Sequence, residues 1–229
     1  MTGLEPPNPE PVPLITIKDI KPTPEEFEKT VDEMYALHQR AFGEHSIISK
    51  DDMSKSLTND VMVGAYVKDK LVGHMGITVL TKTWPGSWYL YGAAIEPDMQ
   101  GKGIGGRLLK EIIRRADGKQ RLVSAARPNN YDSIALLVNK NDFVMTGFRR
   151  NFFPRRPGTH RVIMESSPET RGLKLGAETI RIPADDIDIV EEKLNSGYVG
   201  VAIERVKSDG QEPEQQVFLV LKTNQPTEL

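Results

Sequence analysis

The sequence predicts a mixed α/β fold, a mostly antiparallel sheet flanked by helices. Three observations carry this. Strand-like runs rich in β-branched and aromatic residues come in adjacent pairs joined by short charged or glycine-containing turns, as hairpins do. Between them stand stretches whose apolar residues recur every three or four positions. Strands therefore both neighbour one another and alternate with helices, a pattern that fits a mixed sheet and not a strictly parallel one. The 229 residues, 38% hydrophobic and 27% charged, suffice for one good-sized domain or one domain plus a small appendage.

The elements follow in order. Residues 1–13 carry five prolines (Pro6, Pro7, Pro9, Pro11 and Pro13) and little to bury, and read as an extended or disordered leader. "LITIKDI" is a strand. The next helix opens with Thr23 as cap and Pro24 in first position, and Phe27, Val31, Met34, Leu37 and Ala41 mark its buried face. Ser49 caps a short helix "SKDDMSKSL". "VMVGAYVKDKLVGHMGITVL" is a hairpin turning at Lys68–Lys70, and "SWYLYGAAI" is an aromatic-rich strand. A glycine-rich loop leads into a helix with Leu108, Leu109, Ile112, Ile113 and Ala116 on one face. Strand "RLVSAA", helix "NYDSIALLVNK" and strands "FVMTGFRRNFF" and "HRVIME" come next. Residues 169–229 read as β-α-β-β, closing with a hairpin across "SDGQEPE".

Composition excludes several classes. The net charge of −2 gives no global basic field for nucleic acid. With no cysteine, disulfides, thiolate metal sites and a cysteine nucleophile are ruled out. No stretch reaches the roughly 20 apolar residues that span a bilayer. The first residues lack the basic and apolar regions of a secretory signal, so a cytoplasmic protein is expected.

The loop "DMQGKGIGGRLLKEIIRRA", residues 98–116, carries the chemistry. Gly101-x-Gly103-x-x-Gly106 spells a dinucleotide fingerprint, yet "EPDMQ" separates the strand from the first glycine and the next strand ends without a ribose-binding acid. A triphosphate P-loop would end in Gly-Lys-Ser/Thr, and this loop ends Gly-Gly-Arg. A third reading is a pyrophosphate cradle for coenzyme A, and the plainer one is a glycine-rich turn without ligand. A helix N-terminus presents unsatisfied N–H groups and a favourable dipole, small residues let phosphates reach them, and Lys102 and Arg107 add charge at the rim.

"AAIEPDMQGKGIGGRLLKEI" resembles motif A of the GNAT superfamily of N-acetyltransferases, with Ile95, Pro97, Gln100, Gly103 and Gly105 in the pattern positions. "RPNNYDSIALLVNKNDF" resembles the looser motif B, through Asn130-x-x-Ser133 and Phe143, with one residue more than the usual spacing. The resemblance covers residues 14–165 and implies a domain over 14–168 with 169–229 as an extension. It implies that the sheet splays after the motif-A strand and that acetyl-CoA, or another short acyl-CoA, lies there. Ala94, Ile95, Gln100, Gly101, Lys102, Gly103, Ile104, Gly105, Gly106, Arg107, Asn130 and Ser133 then bind the donor. The Ile95 N–H polarises the thioester.

The acid and base are less well marked. Where many members carry a tyrosine in the motif-B helix, this chain has Leu137 or Val138, and Tyr131 is the nearest hydroxyl. The glutamate base of histone-type members is replaced by Tyr89. Tyr89 and Tyr91 share a strand face and can line the acceptor pocket, or serve simply as good strand formers. His74 has a suitable intrinsic pKa for a base. Glu44 and His45 stand where the family shapes its acceptor site. In "RRNFFPRRPGTHR", Arg155 and Arg156 can clamp a substrate carboxylate or phosphate, while the plainer reading is a solvated hairpin tip. The expected activity is acetyl transfer to the primary amine of a small molecule. No metal, nucleic-acid or membrane partner is expected. The alternatives are a non-catalytic acyl-CoA-binding module and, more remotely, a nucleic-acid binder through residues 149–161. Residues 169–229 can extend the sheet, form a subdomain or make a homodimer contact.

Overall fold

The computed structural model describes residues 13–43, 48–80, 84–116, 120–153, 156, 158–207 and 215–224. The proline-rich leader up to residue 12, Glu44, His45 and Arg155 lie outside them. The chain divides into two compact units, residues up to 76 with 92–112, and residues 77–91 with 113–229. Strands β3 (Lys70–Leu80) and β4 (Ser87–Ile95) each pass from one unit into the other.

In the first unit the strand order is β1-β2-β3-β4, with β1 at Ile15–Asp19 and β2 at Val61–Val67. β1 and β2 are antiparallel, Ile15 opposite Val67 and Asp19 opposite Val63. The hairpin turn between β2 and β3 is tighter than the three residues read from sequence, and Lys68 takes φ 55° to make it. Helix α1 spans Phe27–Phe42 and buries Val31, Met34 and Leu37. It starts three residues later than Pro24 implies. Thr23 N–H and hydroxyl both donate to the Glu26 carboxylate, so the acids after Pro24 close a turn before the helix begins. Helix α2, Lys50–Asn59, has the full capping box: Asp52 N–H donates to Ser49 Oγ, and the Asp52 carboxylate accepts from Ser49 N–H. Helix α3, Ile104–Arg115, lays Ile104, Leu108, Leu109 and Ile112 on the sheet. Gly73 of β3 permits that approach: a Cβ there would lie 3.3 Å from Ile104 and 3.4 Å from Leu108.

In the second unit the order is β3-β4-β5-β7-β6-β9-β10-β8. β5 is Leu122–Ala126, β6 Val144–Arg149, β7 Arg161–Ser166, β8 Leu175–Pro183, β9 Tyr198–Lys207 and β10 Gln215–Asn224. The β4–β5 pairing is parallel, over Trp88–Leu90 and Leu122–Ser124. The other recorded ladders are antiparallel. Helix α4, Tyr131–Val138, is capped by Asn130, whose Oδ1 accepts from Ser133 N–H. Two further helices are α5, Pro168–Arg171, which the sequence reading missed, and α6, Ile187–Asn195. Residues 175–224 thus extend the sheet, β9 docking on β6 with Met145 opposite Gly200.

Candidate active site

The site is built upward from β4. Along Trp88–Tyr91 the strand alternates as read from sequence, and the Tyr89 and Tyr91 rings stack with centroids 6.2 Å apart. Gly92 then takes φ +62°, which only glycine adopts without strain, and the regular pleat is interrupted three residues before Ile95. The alternation expected through Ile95 therefore holds only up to Tyr91. Past Ile95 the chain is pinned: Glu96 N–H donates to Val72 O at 2.9 Å. The Glu96 side chain is buried and accepts from Arg40 Nη2 at 2.7 Å and Nε at 3.0 Å. That ion pair holds the Glu96 carboxyl below its ordinary pKa, and Lys70 adds to the effect from 3.9 Å. The sequence reading gave Arg40 and Glu96 no role. Their separation of 56 positions carries no local signal.

A single 3-10 turn, Pro97–Met99, leads to the glycine loop. Gln100, a predicted donor ligand, donates from Nε2 to Ile95 O at 3.2 Å and ties the loop to the end of β4. Gly101 and Gly103 hold φ +74° and +76°, and each would project a Cβ into open space. Gly105 and Gly106 lie in the first turn of α3. The first backbone bond of α3 is Arg107 N–H to Gly103 O. By helix geometry the amides of Ile104, Gly105 and Gly106 precede it and point out of the helix end. Lys102 is exposed above them, its Nζ 3.6 Å from Met99 Sδ. Arg107, expected to add charge at the rim, is exposed and also reaches back to β1. Its Nη2 donates to Ile15 O at 2.7 Å, so it braces β1. Asn130 and Ser133, also expected as donor ligands, are joined to each other as the cap of α4.

His74 is not where a base would meet a substrate. It is fully buried in the first unit, 6.1 Å from the His38 ring, and neither ring nitrogen makes a full hydrogen bond. Burial, reinforced by His38, lowers its pKa to about 3, so it is a neutral core ring at any working pH. Tyr89 is pushed up to about 12 by burial, with Arg161 pulling the other way, and its phenol stays protonated. It can donate a hydrogen bond but cannot act as a base near pH 7. Trp84 stacks on Tyr89 at 6.0 Å and on Phe152 at 6.3 Å, and this group packs on Val123 and Ile163. Of the basic hairpin, Arg156 is exposed and Arg150 is tied to Asp188 and Glu191. Among the described residues no group of three or more metal-ligating side chains occurs, and no helix is long and apolar enough to cross a membrane.

A kinked strand, a glycine loop braced to its end and an open helix N-terminus thus follow one another along the chain. Residues 31–143, just under half of the chain, match the model of the acetyltransferase (GNAT) family. An uncharacterized protein of Mycobacterium leprae is 36% identical over 92 residues, 40% of this chain and 25% of that protein. The N-alpha-acetyltransferase RimI of Mycobacterium tuberculosis is 33% identical over 91 residues, 40% of this chain and 56% of that protein. The matches thus span about a quarter and about half of these relatives. The ribosomal-protein-S18-alanine N-acetyltransferase from Escherichia coli shares the fold, with a TM-score of 0.54 at 21% identity over 66% of this chain and 92% of that one.

Proposed function

We propose that this chain transfers an acetyl or other short acyl group from acyl-CoA to the primary amine of a small molecule, by direct attack in a ternary complex. The observation that carries the reading is the helix α3 N-terminus, where left-handed Gly101 and Gly103 leave space over the amides of Ile104–Gly106. Two phosphates joined as in coenzyme A fit such a cradle. Lys102 supplies the rim charge, and Gln100 and the Arg40–Glu96 pair hold the loop and strand end in place.

In this reading the Ile95 N–H polarises the thioester carbonyl, with Gly92 setting the direction of the strand. The amine nitrogen forms its bond to the carbonyl carbon, the carbon–sulfur bond breaks to release the coenzyme A thiolate, the amine proton passes to water, and the thiolate takes up a proton from water as free thiol. Tyr89 enters as a hydrogen-bond donor, since its pKa lies far above neutrality. With His74 buried, the rate should depend on how much acceptor is present as free amine. kcat/KM should therefore rise about tenfold per pH unit below the acceptor's own pKa, with no plateau near pH 7. A bell centred near 7 would require a side-chain base.

A second reading, an acyl-CoA-binding module without chemistry, draws on the same protonated Tyr89 and enclosed His74. The two separate on release of free thiol from acetyl-CoA across a panel of amines. Acetyl-CoA should raise Tm in either case, by mass action. No Tm shift at millimolar acetyl-CoA would sink both readings.

A further inference from the structure

The basic hairpin holds a feature that the donor site does not use. Arg161, the first residue of β7, is only 6% exposed, yet no carboxylate among the described residues pairs with it. Its Nη1 donates to the neighbouring His160 carbonyl at 2.8 Å, and its guanidinium lies 5.3 Å from the Phe153 ring centroid. Like charges stand beside it. Arg149 stands directly opposite it in the β6–β7 register. Arg127 lies one residue past the end of β5, where Ala126 pairs with Val162, and it acts electrostatically on Arg161. Arg149 in turn makes no ion pair among the described residues and rests over Trp84 at 5.1 Å.

Arg149 opposite Arg161, with Arg127 just past the end of β5, is a costly grouping. Like charges opposed across strands destabilise a sheet, and a buried guanidinium without a counter-charge loses its hydration unpaid. Elsewhere on this face the same problem is solved inside the chain: Glu165, two pleats along β7 from Arg161, accepts from Arg121 at 2.6 Å. The grouping lies against the aromatic cluster, because Ile163, one pleat along β7, packs with Trp84, Tyr89 and Phe152, and Tyr89 feels the charge of Arg161. A guanidinium offers paired donors in one plane, which suits a carboxylate held in two bonds, and the neighbouring rings suit an apolar body.

We infer that Arg161, flanked by Arg149 and Arg127 beside the Trp84–Tyr89–Phe152 rings, forms a carboxylate-binding subsite, and that the amine acceptor is a carboxylate-bearing amine of the amino-acid class with an apolar body. The inference rests on the acetyltransferase reading for the amine and on the second unit alone for the carboxylate.

The test uses the full chain with acetyl-CoA and a panel of amines, each supplied as carboxylate, carboxamide and phosphonate. The carboxylates should exceed their carboxamides by tenfold or more in kcat/KM. Arg161→Gln should erase that preference, Arg161→Lys should keep part of it, and Arg149→Gln should reduce it severalfold. Independently of turnover, 3-phenylpropionate should raise the Tm of the wild type and not of Arg161→Gln, while acetyl-CoA still stabilises the variant, which shows that it is folded. Equal rates with carboxamides, or a preference unchanged in Arg161→Gln, would overturn the subsite. Preference for phosphonates would overturn the carboxylate assignment. Absence of both thiol release and acetyl-CoA stabilisation would sink the acetyltransferase reading instead, and the 3-phenylpropionate shift would still report on Arg161.

Discussion

Gly103 and His74 show how much a single residue decides here. At φ +76° with open space beyond it, Gly103 both permits the loop's turn and keeps its helix end clear. Gly103→Glu places a bulky anion over the amides of the cradle. It should abolish the Tm shift that acetyl-CoA produces in the wild type, a loss of at least tenfold in affinity measured by calorimetry. His74 and His38 act on stability. Burial lowers their pKa values to about 3 and about 4, so both are neutral when folded and titrate near 6.5 when unfolded. Between those limits the unfolded chain binds more protons. The stability they allow is complete above pH 6.5 and declines as pH falls toward 4, by on the order of 1.4 kcal/mol per pH unit for each titrating ring. Urea midpoints at pH 7 and pH 5 should show the drop, and His74→Leu should shrink it.

At the scale of elements, an ion pair ties α1 to the residue that follows β4. Removing Arg40 strands the buried Glu96 carboxylate, with only Lys70 at 3.9 Å to answer it. Arg40→Leu should cost roughly 1–3 kcal/mol. Because the penalty comes from the orphaned carboxylate, Arg40→Leu with Glu96→Gln should be less harmful than the two single losses added, a coupling that denaturant titration of the four proteins measures. Helix α4 is tied to β9 in a comparable way. Asn139 Nδ2 donates to Ile203 O and its Oδ1 accepts from Ile203 N–H, both at 2.9 Å, so one amide side chain does the work of a neighbouring strand. The sequence reading ran this helix through Lys140 and gave Asn139 no role of its own.

At the scale of the whole molecule, residues 169–229 belong to the same compact unit as β5–β7. Val199, Ile203, Leu219, Val220 and Leu221 are buried, and a Cβ on Gly200 would fall 2.2 Å from Met145 Cε. Truncation after residue 168 uncovers β6 and the end of α4 and leaves Asn139 without Ile203. The shortened chain should lose cooperative unfolding or aggregate, as scanning calorimetry and size-exclusion chromatography would show. A soluble, cooperatively folding fragment would mean that the three added strands are dispensable.

The sequence by itself determined most of the elements and the place of the glycine loop at the head of α3, because their signals are local. The Ser49 capping box, the apolar stripe of α3 and the glycines at fixed distance from Ile95 each lie within a few residues of one another. Tertiary structure decided the rest. It put His74 in the core, turned Arg107 toward Ile15, and made Gln100 a brace. It also set Arg149 opposite Arg161 and brought Arg127, just past β5, within electrostatic reach of Arg161. Burial and charge at those positions are sums over neighbours tens of residues away, and strand register, which no short motif encodes, decides which neighbours those are.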